Sequence, residues 1–185
     1  VRVLYGQASP TEAFQATTLP VQSLDLDEFL RHVAANAPHA GIADVRYAGA
    51  TAPVLIQGDE YALEDVVTHV LRNADRYRPS GTPITLTLDR REGAAEVGIH
   101  NAGPAIDAAL IERIFEYGVS DAEAGPVTLG TEAEAPAAAV AGAGASGIHR
   151  GQGLFVARTY MAKMGGTISA HNEAHGVRFV LRLPC

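Results

Sequence analysis

Apolar residues at Leu63, Val66, Val67, Val70, Leu71 and Ala74 recur at i, i+3, i+4, i+7, i+8 and i+11, the period of one helical face. Asp59, just ahead of them, is an acceptor suited to capping a first turn, and Pro79-Ser80-Gly81 stops the run. A helix is predicted between these signals. A shorter one is predicted to start at Asp25 or Asp27, carry Phe29, Leu30, Val33 and Ala34, and end around Pro38 to Gly41. Alternating positions predict strands at Ile84–Leu88 and Glu96–His100, joined by a polar turn at Arg90 to Gly93, and again at Thr167–His171 and Val177–Leu183. Val21–Leu26 reads as a first strand. Val45–Tyr47 and Val54–Ile56 read as a hairpin about Gly49. Asp107 opens a short helix over Ala108–Glu116, and Gln152–Met164 forms the last helix before the turn at Gly165-Gly166.

Strands joined as hairpins and mixed with helices predict an α+β two-layer sandwich rather than a doubly wound parallel sheet. Residues 118–150, rich in Ala, Gly, Pro and Glu, break this alternation. A loop of that length in a domain is commonly a functional lid or an insertion. Residues 1–20 carry Gly6, Pro10 and Pro20 with little periodicity, and read as a linker.

Composition narrows the function classes. A chain of 185 residues with 47% hydrophobic and 19% charged residues suits one domain with an apolar core. Its net charge of −7 disfavours a nucleic-acid partner held through phosphates. Cys185 is the sole cysteine, so no disulfide or cysteine-based metal site forms within one copy, and a cytoplasmic location is expected. No run approaches the roughly 18 apolar residues of a membrane helix.

Two short motifs and one helix face carry candidate chemistry. His69, Asn73, Arg76 and Tyr77 fall three or four residues apart on the long helix, off its apolar stripe. The Asn73 amide oxygen is a reasonable Mg²⁺ ligand where phosphates and waters complete an octahedron. Arg76 is one turn on, within reach of a phosphate, and Tyr77 offers an aromatic edge. An ordinary solvated helix face would carry the same residue types. Asn101-Ala102-Gly103-Pro104 ends a strand where glycine lets a backbone approach a ligand, though Asn, Gly and Pro are also default turn residues. Gly151-Gln152-Gly153-Leu154 opens a helix after the long loop, and exposed N–H groups there favour anions. His149 and Arg150 add positive charge beside it. A linker glycine pair would look alike.

The order of these motifs resembles the nucleotide pocket of sensor histidine kinases, in the GHKL superfamily (HATPase_c) that also holds gyrase B and MutL. Gly58-Asp59 through Asn73-Ala74 resembles its N box, and Asn101-Ala102-Gly103-Pro104-Ala105-Ile106 its first glycine box. Ile114-Phe115-Glu116 resembles the F box, Gly151 through Arg158 the second glycine box, and Gly165 through Pro184 the closing hairpin. The resemblance spans residues 21–185. It implies the Bergerat ATP-binding fold, a mixed sheet covered on one face by helices, with residues 118–150 as the lid. It further implies ATP and Mg²⁺ as ligands, with Asn73 on the metal. Nucleotide contacts would come from His69, Asn73, Arg76, Tyr77, Asn101, Gly103, Ile106, Arg150, Gly151, Gly153 and Leu154.

Departures from the family pattern qualify this. Asn101 stands where an aspartate usually accepts from the adenine amino group. Ala105 replaces a common glycine, and Val177 a frequent threonine. His69 occupies a position that is often asparagine in histidine kinases and a water-activating glutamate in gyrase B and MutL, which argues against a dedicated hydrolase. A histidine there has the acid–base range to act as a base or to touch phosphate, but no catalytic residue is assigned. None of the seven histidines has the acidic neighbour and following proline of a phospho-acceptor. The expected function is therefore the catalytic domain of a two-component sensor histidine kinase. It would donate the ATP γ-phosphoryl group to a histidine on a separate helical dimerisation domain, reached through residues 1–20, within a homodimer that serves a response regulator. The alternatives are a degenerate, non-catalytic module acting through protein contacts, and a gyrase- or MutL-like ATPase.

Overall fold

The computed structural model describes residues 18–116 and 153–185. In chain order these form β1 (Gln22–Asp25), α1 (Leu26–Asn36), a 3-10 turn (Ala37–Ala40), β2 (Val45–Tyr47), β3 (Leu55–Gly58) and α2 (Glu60–Tyr77). Next come β4 (Ile84–Arg91), β5 (Ala94–Ala102), α3 (Ala108–Ile111), α4 (Gly153–Lys163), β6 (Thr167–Glu173) and β7 (Gly176–Pro184). Five strands make one sheet in the order β2-β4-β5-β7-β6, and β1 and β3 make a second, two-stranded one. All pairs are antiparallel except β2 with β4. The sheet is mixed, as expected, and the architecture is α+β.

Alternation along the strands builds the core. Ile84 and Leu86 of β4, Val97 and Ile99 of β5, and Phe179, Leu181 and Leu183 of β7 are buried on one face. Against that face pack Leu63, Val66, Val67 and Val70 of α2, each at most 1% exposed. Burying each such side chain is worth about 1.5–3 kcal/mol, which exceeds any helix propensity in α2. A charged residue at Val70 would strand an ion in this layer. The termini of α2 follow the sequence signals: the Asp59 side chain accepts from the Tyr61 N–H at 3.0 Å, and Arg78 turns extended ahead of Pro79.

The predicted hairpin over 45–56 does not form. β2 pairs in parallel with β4 and β3 pairs with β1, so α2 serves as the crossover between two parallel strands. Hydrogen bonds distant in sequence cause this. Leu26 N–H donates to the Val54 carbonyl at 2.8 Å, and Val54 N–H donates to the Asp25 carboxylate at 3.1 Å. Ala50 N–H and the Tyr47 hydroxyl both donate to Asp27 at 2.8 Å. Residues 48–54 are thereby drawn across the start of α1 instead of folding back on β2. The helix predicted over 108–116 is also shorter. Only Ala108–Ile111 is helical, and the chain then turns so that Ile114 and Phe115 are buried.

Candidate functional site

Helix α2 organises the candidate residues. His69, Asn73 and Arg76 recur along one side of it, with Tyr77 in its last turn, and the row from 69 to 77 spans about 12 Å at 1.5 Å per residue. Each end of the row touches one of the glycine motifs. At the Tyr77 end, Gly103 has φ +131°, and a Cβ on it would lie 2.6 Å from the Tyr77 carbonyl oxygen. Only glycine admits both that backbone and that approach. At the His69 end, a Cβ on Gly153 would lie 2.9 Å from His69 Nδ1, so the start of α4 is pressed against the imidazole. Two glycine motifs far apart in sequence therefore meet one helix face.

Two buried amides lie in this row and beside it. Asn73 is buried on α2, 9% exposed. Asn101 is 2% exposed, inside β5 rather than in the turn beyond it. Its Nδ2 donates to the Ala102 carbonyl at 2.8 Å. Its two cross-strand partners are apolar. Ile84 and Val177 stand opposite it on β4 and β7 and are buried.

The other expected residues fall as follows. His69 Nε2 lies 3.5 Å from Asp65 Oδ2, which ties the ring to its own helix. The Arg76 guanidinium sits 5.9 Å from the Tyr77 ring centre. Ile106 is half-buried, and Leu154 is buried in the first turn of α4. Arg150 and Gly151, with the whole stretch 118–150, lie outside the described residues. Among the described residues, no cluster of three or more His, Cys, Asp or Glu could hold a metal.

Sequence reasoning missed Asn172. Its Nδ2 donates to the Ile106 carbonyl and its Oδ1 accepts the Ile106 N–H, both at 2.8 Å. This two-bond clamp ties the segment after Gly103 to the end of β6. An asparagine near a strand end carries no sequence signal of such a role. Asp107 caps α3 by accepting the Ala109 N–H at 2.7 Å, which the sequence did indicate. A separate groove of about 310 Å³ between α1 and α2, lined by residues including Phe29, Val33, Glu64 and Leu71, lies on the other side of α2 from the row, as the 100° step per residue requires.

Comparison with known proteins agrees with this geometry. Residues 58–185 match the family model described as histidine kinase-, DNA gyrase B-, and HSP90-like ATPase. The two-component sensor PprA of Pseudomonas aeruginosa is 30% identical over 72% of this chain and 13% of its own length. The sensor protein ChvG of Agrobacterium fabrum is 30% identical over 77% of this chain and 22% of its own. The chain thus spans less than a quarter of these relatives. Among solved structures, the catalytic domain of histidine kinase ThkA superposes with a TM-score of 0.68 at 20% identity, covering 90% of this chain and 96% of that one. Full-length ShkA in complex with AMPPNP superposes at 0.65 with 22% identity, covering 91% of this chain and 32% of that one. These likenesses establish the fold.

Proposed function

Since the chain belongs to the histidine kinase-, DNA gyrase B-, and HSP90-like ATPase family, we propose that it is the catalytic, ATP-binding part of a two-component sensor histidine kinase. The observation that carries this reading is the meeting of Gly103 and Gly153 at the two ends of the His69–Asn73–Arg76–Tyr77 row. The buried amides of Asn73 and Asn101 lie in the same row and beside it. Curated relatives named as sensors, from PprA to the sensor histidine kinase CusS of Escherichia coli, support the kinase branch. So does the absence of a glutamate at position 69, which weighs against a dedicated hydrolase.

On this reading Asn101 and the Gly103 backbone hold the base, with Ile106 against it. Asn73 offers its amide oxygen to Mg²⁺, and Arg76 and Arg150 counter phosphate charge. Gly151, Gly153 and Leu154 offer N–H groups to the phosphates. Residues 118–150 act as the lid. A bound Mg²⁺ supplies charge neutralisation at the phosphates. Oxygen ligation by a neutral amide fits that ion. The γ-phosphoryl group would pass in line to a histidine on a helical dimerisation domain, with positioning and electrostatics providing most of the acceleration. A response regulator would take it from there, in a cytoplasmic homodimer. Among the described residues no helix is long and apolar enough to cross a membrane. A second reading, a degenerate module working through protein contacts, is favoured only by Asn101 and Val177 in place of the family's usual residues.

The test is phosphoryl transfer in trans. The chain is mixed with labelled ATP, Mg²⁺ and a separately produced dimerising hairpin from a sensor kinase of this type. Acid-labile, base-stable label on the hairpin is the expected result. Nucleotide binding without any transfer across a panel of hairpins would favour the degenerate module.

A further inference from the structure

Asn172 stands at the end of a row that crosses the sheet. Ile84, Asn101, Val177 and Asn172 are successive cross-strand partners on β4, β5, β7 and β6. Directly opposed residues project to the same face. Val177 is in phase with the buried Phe179, Leu181 and Leu183, so that face is the one covered by α2. β6 is the outer strand, which brings Asn172 to the rim of this face. There it meets the segment Gly103–Ile106, accepting the Ile106 N–H and donating to the Ile106 carbonyl, both at 2.8 Å. An N–H needs an acceptor and a carbonyl a donor, so both ends of the Asn172 amide are assigned and neither can turn without loss. The segment is therefore held at both ends. At its start, a Cβ on Gly103 would lie 2.6 Å from the Tyr77 carbonyl oxygen. At its end, Ile106 packs against the core with its backbone on Asn172.

From this we infer that Asn172 is a positioning residue for nucleotide binding. It touches no nucleotide, but it sets how far Ile106 stands from the Asn101–Val177 row, and so the width of the space that receives the base. The inference rests on the proposed nucleotide site. Without the clamp the segment is anchored firmly at Gly103 alone, and ordering its other end on binding costs affinity. Two exposed hydrogen bonds of ordinary strength correspond to about 3–30-fold in affinity. Aspartate at this position separates positioning from general loosening. One carboxylate oxygen still accepts the Ile106 N–H, while the other faces the Ile106 carbonyl, acceptor against acceptor. Protonation makes that second oxygen a donor and restores the clamp. The neighbours that also titrate are native ones. His171 and Glu173 on β6 project to the opposite face, where Arg178 of β7 donates to Glu173 at 3.0 Å and His100 of β5 lies 3.5 Å from it. His175 is in the following turn, and Asp107 caps α3. All are present in the wild type, whose own pH profile removes their contribution.

The experiment is displacement of a fluorescent ATP analogue by ADP from pH 7.5 to pH 4, on the wild-type chain, Asn172→Ala and Asn172→Asp, with circular dichroism checking each fold. The expected result at pH 7.5 is ADP binding about 3–30-fold weaker than wild type in both variants. Towards pH 4 the deficit of Asn172→Asp should narrow, as the new carboxyl takes up a proton around the usual aspartate value of about 3.9. The deficit of Asn172→Ala should stay constant. Should Asn172→Ala fail to fold, the Asn172→Asp profile decides alone. Wild-type affinity in Asn172→Ala, or a deficit in Asn172→Asp that does not move with pH, overturns the inference while leaving the nucleotide site standing. Failure of the analogue or of ADP to bind the wild type overturns the site itself, and the inference with it.

Discussion

Replacing Gly103 with alanine tests how the first glycine motif is joined to α2. The new Cβ would sit 2.6 Å from the Tyr77 carbonyl oxygen, at φ +131°. Two costs add. An L-residue in that backbone region carries about 1–3 kcal/mol of strain. Overpacking against a backbone atom, which cannot swing aside as a side chain can, costs about 1–3 kcal/mol more. With partial relaxation the expected loss is about 2–4 kcal/mol, a fall in Tm of roughly 5–15 °C for a domain of this size. Gly81 supplies the control. It has φ +82° but nothing within 4 Å of its Cβ position, so Gly81→Ala should carry the backbone cost alone. Denaturant unfolding of both variants, followed by circular dichroism, measures the difference. If Gly103→Ala loses no more stability than Gly81→Ala, the close approach to Tyr77 is not holding the motif in place and the reasoning fails.

Two further predictions follow from other contacts. At Gly153 the obstruction is the His69 imidazole, 2.9 Å from a Cβ. Gly153→Ala should therefore cost under about 1 kcal/mol in stability, and His69→Ala should relieve that cost, so a double-mutant cycle on unfolding should show non-additivity of about 0.5 kcal/mol or more. Strict additivity would place the ring elsewhere. Asp27 accepts from the Ala50 N–H, the Tyr47 hydroxyl and Arg31, and these bonds hold its carboxyl down from 3.8 to about 2. Burial and that same carboxylate push the Tyr47 hydroxyl up. A carboxyl depressed in the folded state stabilises the fold above its unfolded value near 3.8 and loses that contribution as pH falls towards 2. Asp27→Asn should be less stable than wild type at pH 6. The gap should narrow between pH 4 and pH 2 in a series of thermal melts, and a constant gap would refute the assignment.

The sequence made most of the site legible because its signals are local. The stripe on α2, the Asp59 cap and the alternation in β4, β5 and β7 each reflect a burial pattern within one element. The order of the glycine motifs placed Gly103 and Gly153 in the same neighbourhood before any coordinates. What escaped was set by contacts between residues far apart in the chain. β2 and β3 look like a hairpin until Asp25 and Asp27 draw residues 48–54 across α1. Asn172 looks like a strand-end residue until both of its amide groups are found on Ile106. The orientation of the Asn101 amide depends on one carbonyl, and no pattern in the sequence encodes it.

The most direct test of the central claim is calorimetric titration of the chain with AMPPNP, with and without Mg²⁺, beside Asn73→Ala. The account predicts saturable binding that strengthens with Mg²⁺ in the wild type, and loses that Mg²⁺ dependence in the variant while the fold persists. Absence of binding at millimolar nucleotide, or binding whose Mg²⁺ dependence is unchanged in Asn73→Ala, would contradict it.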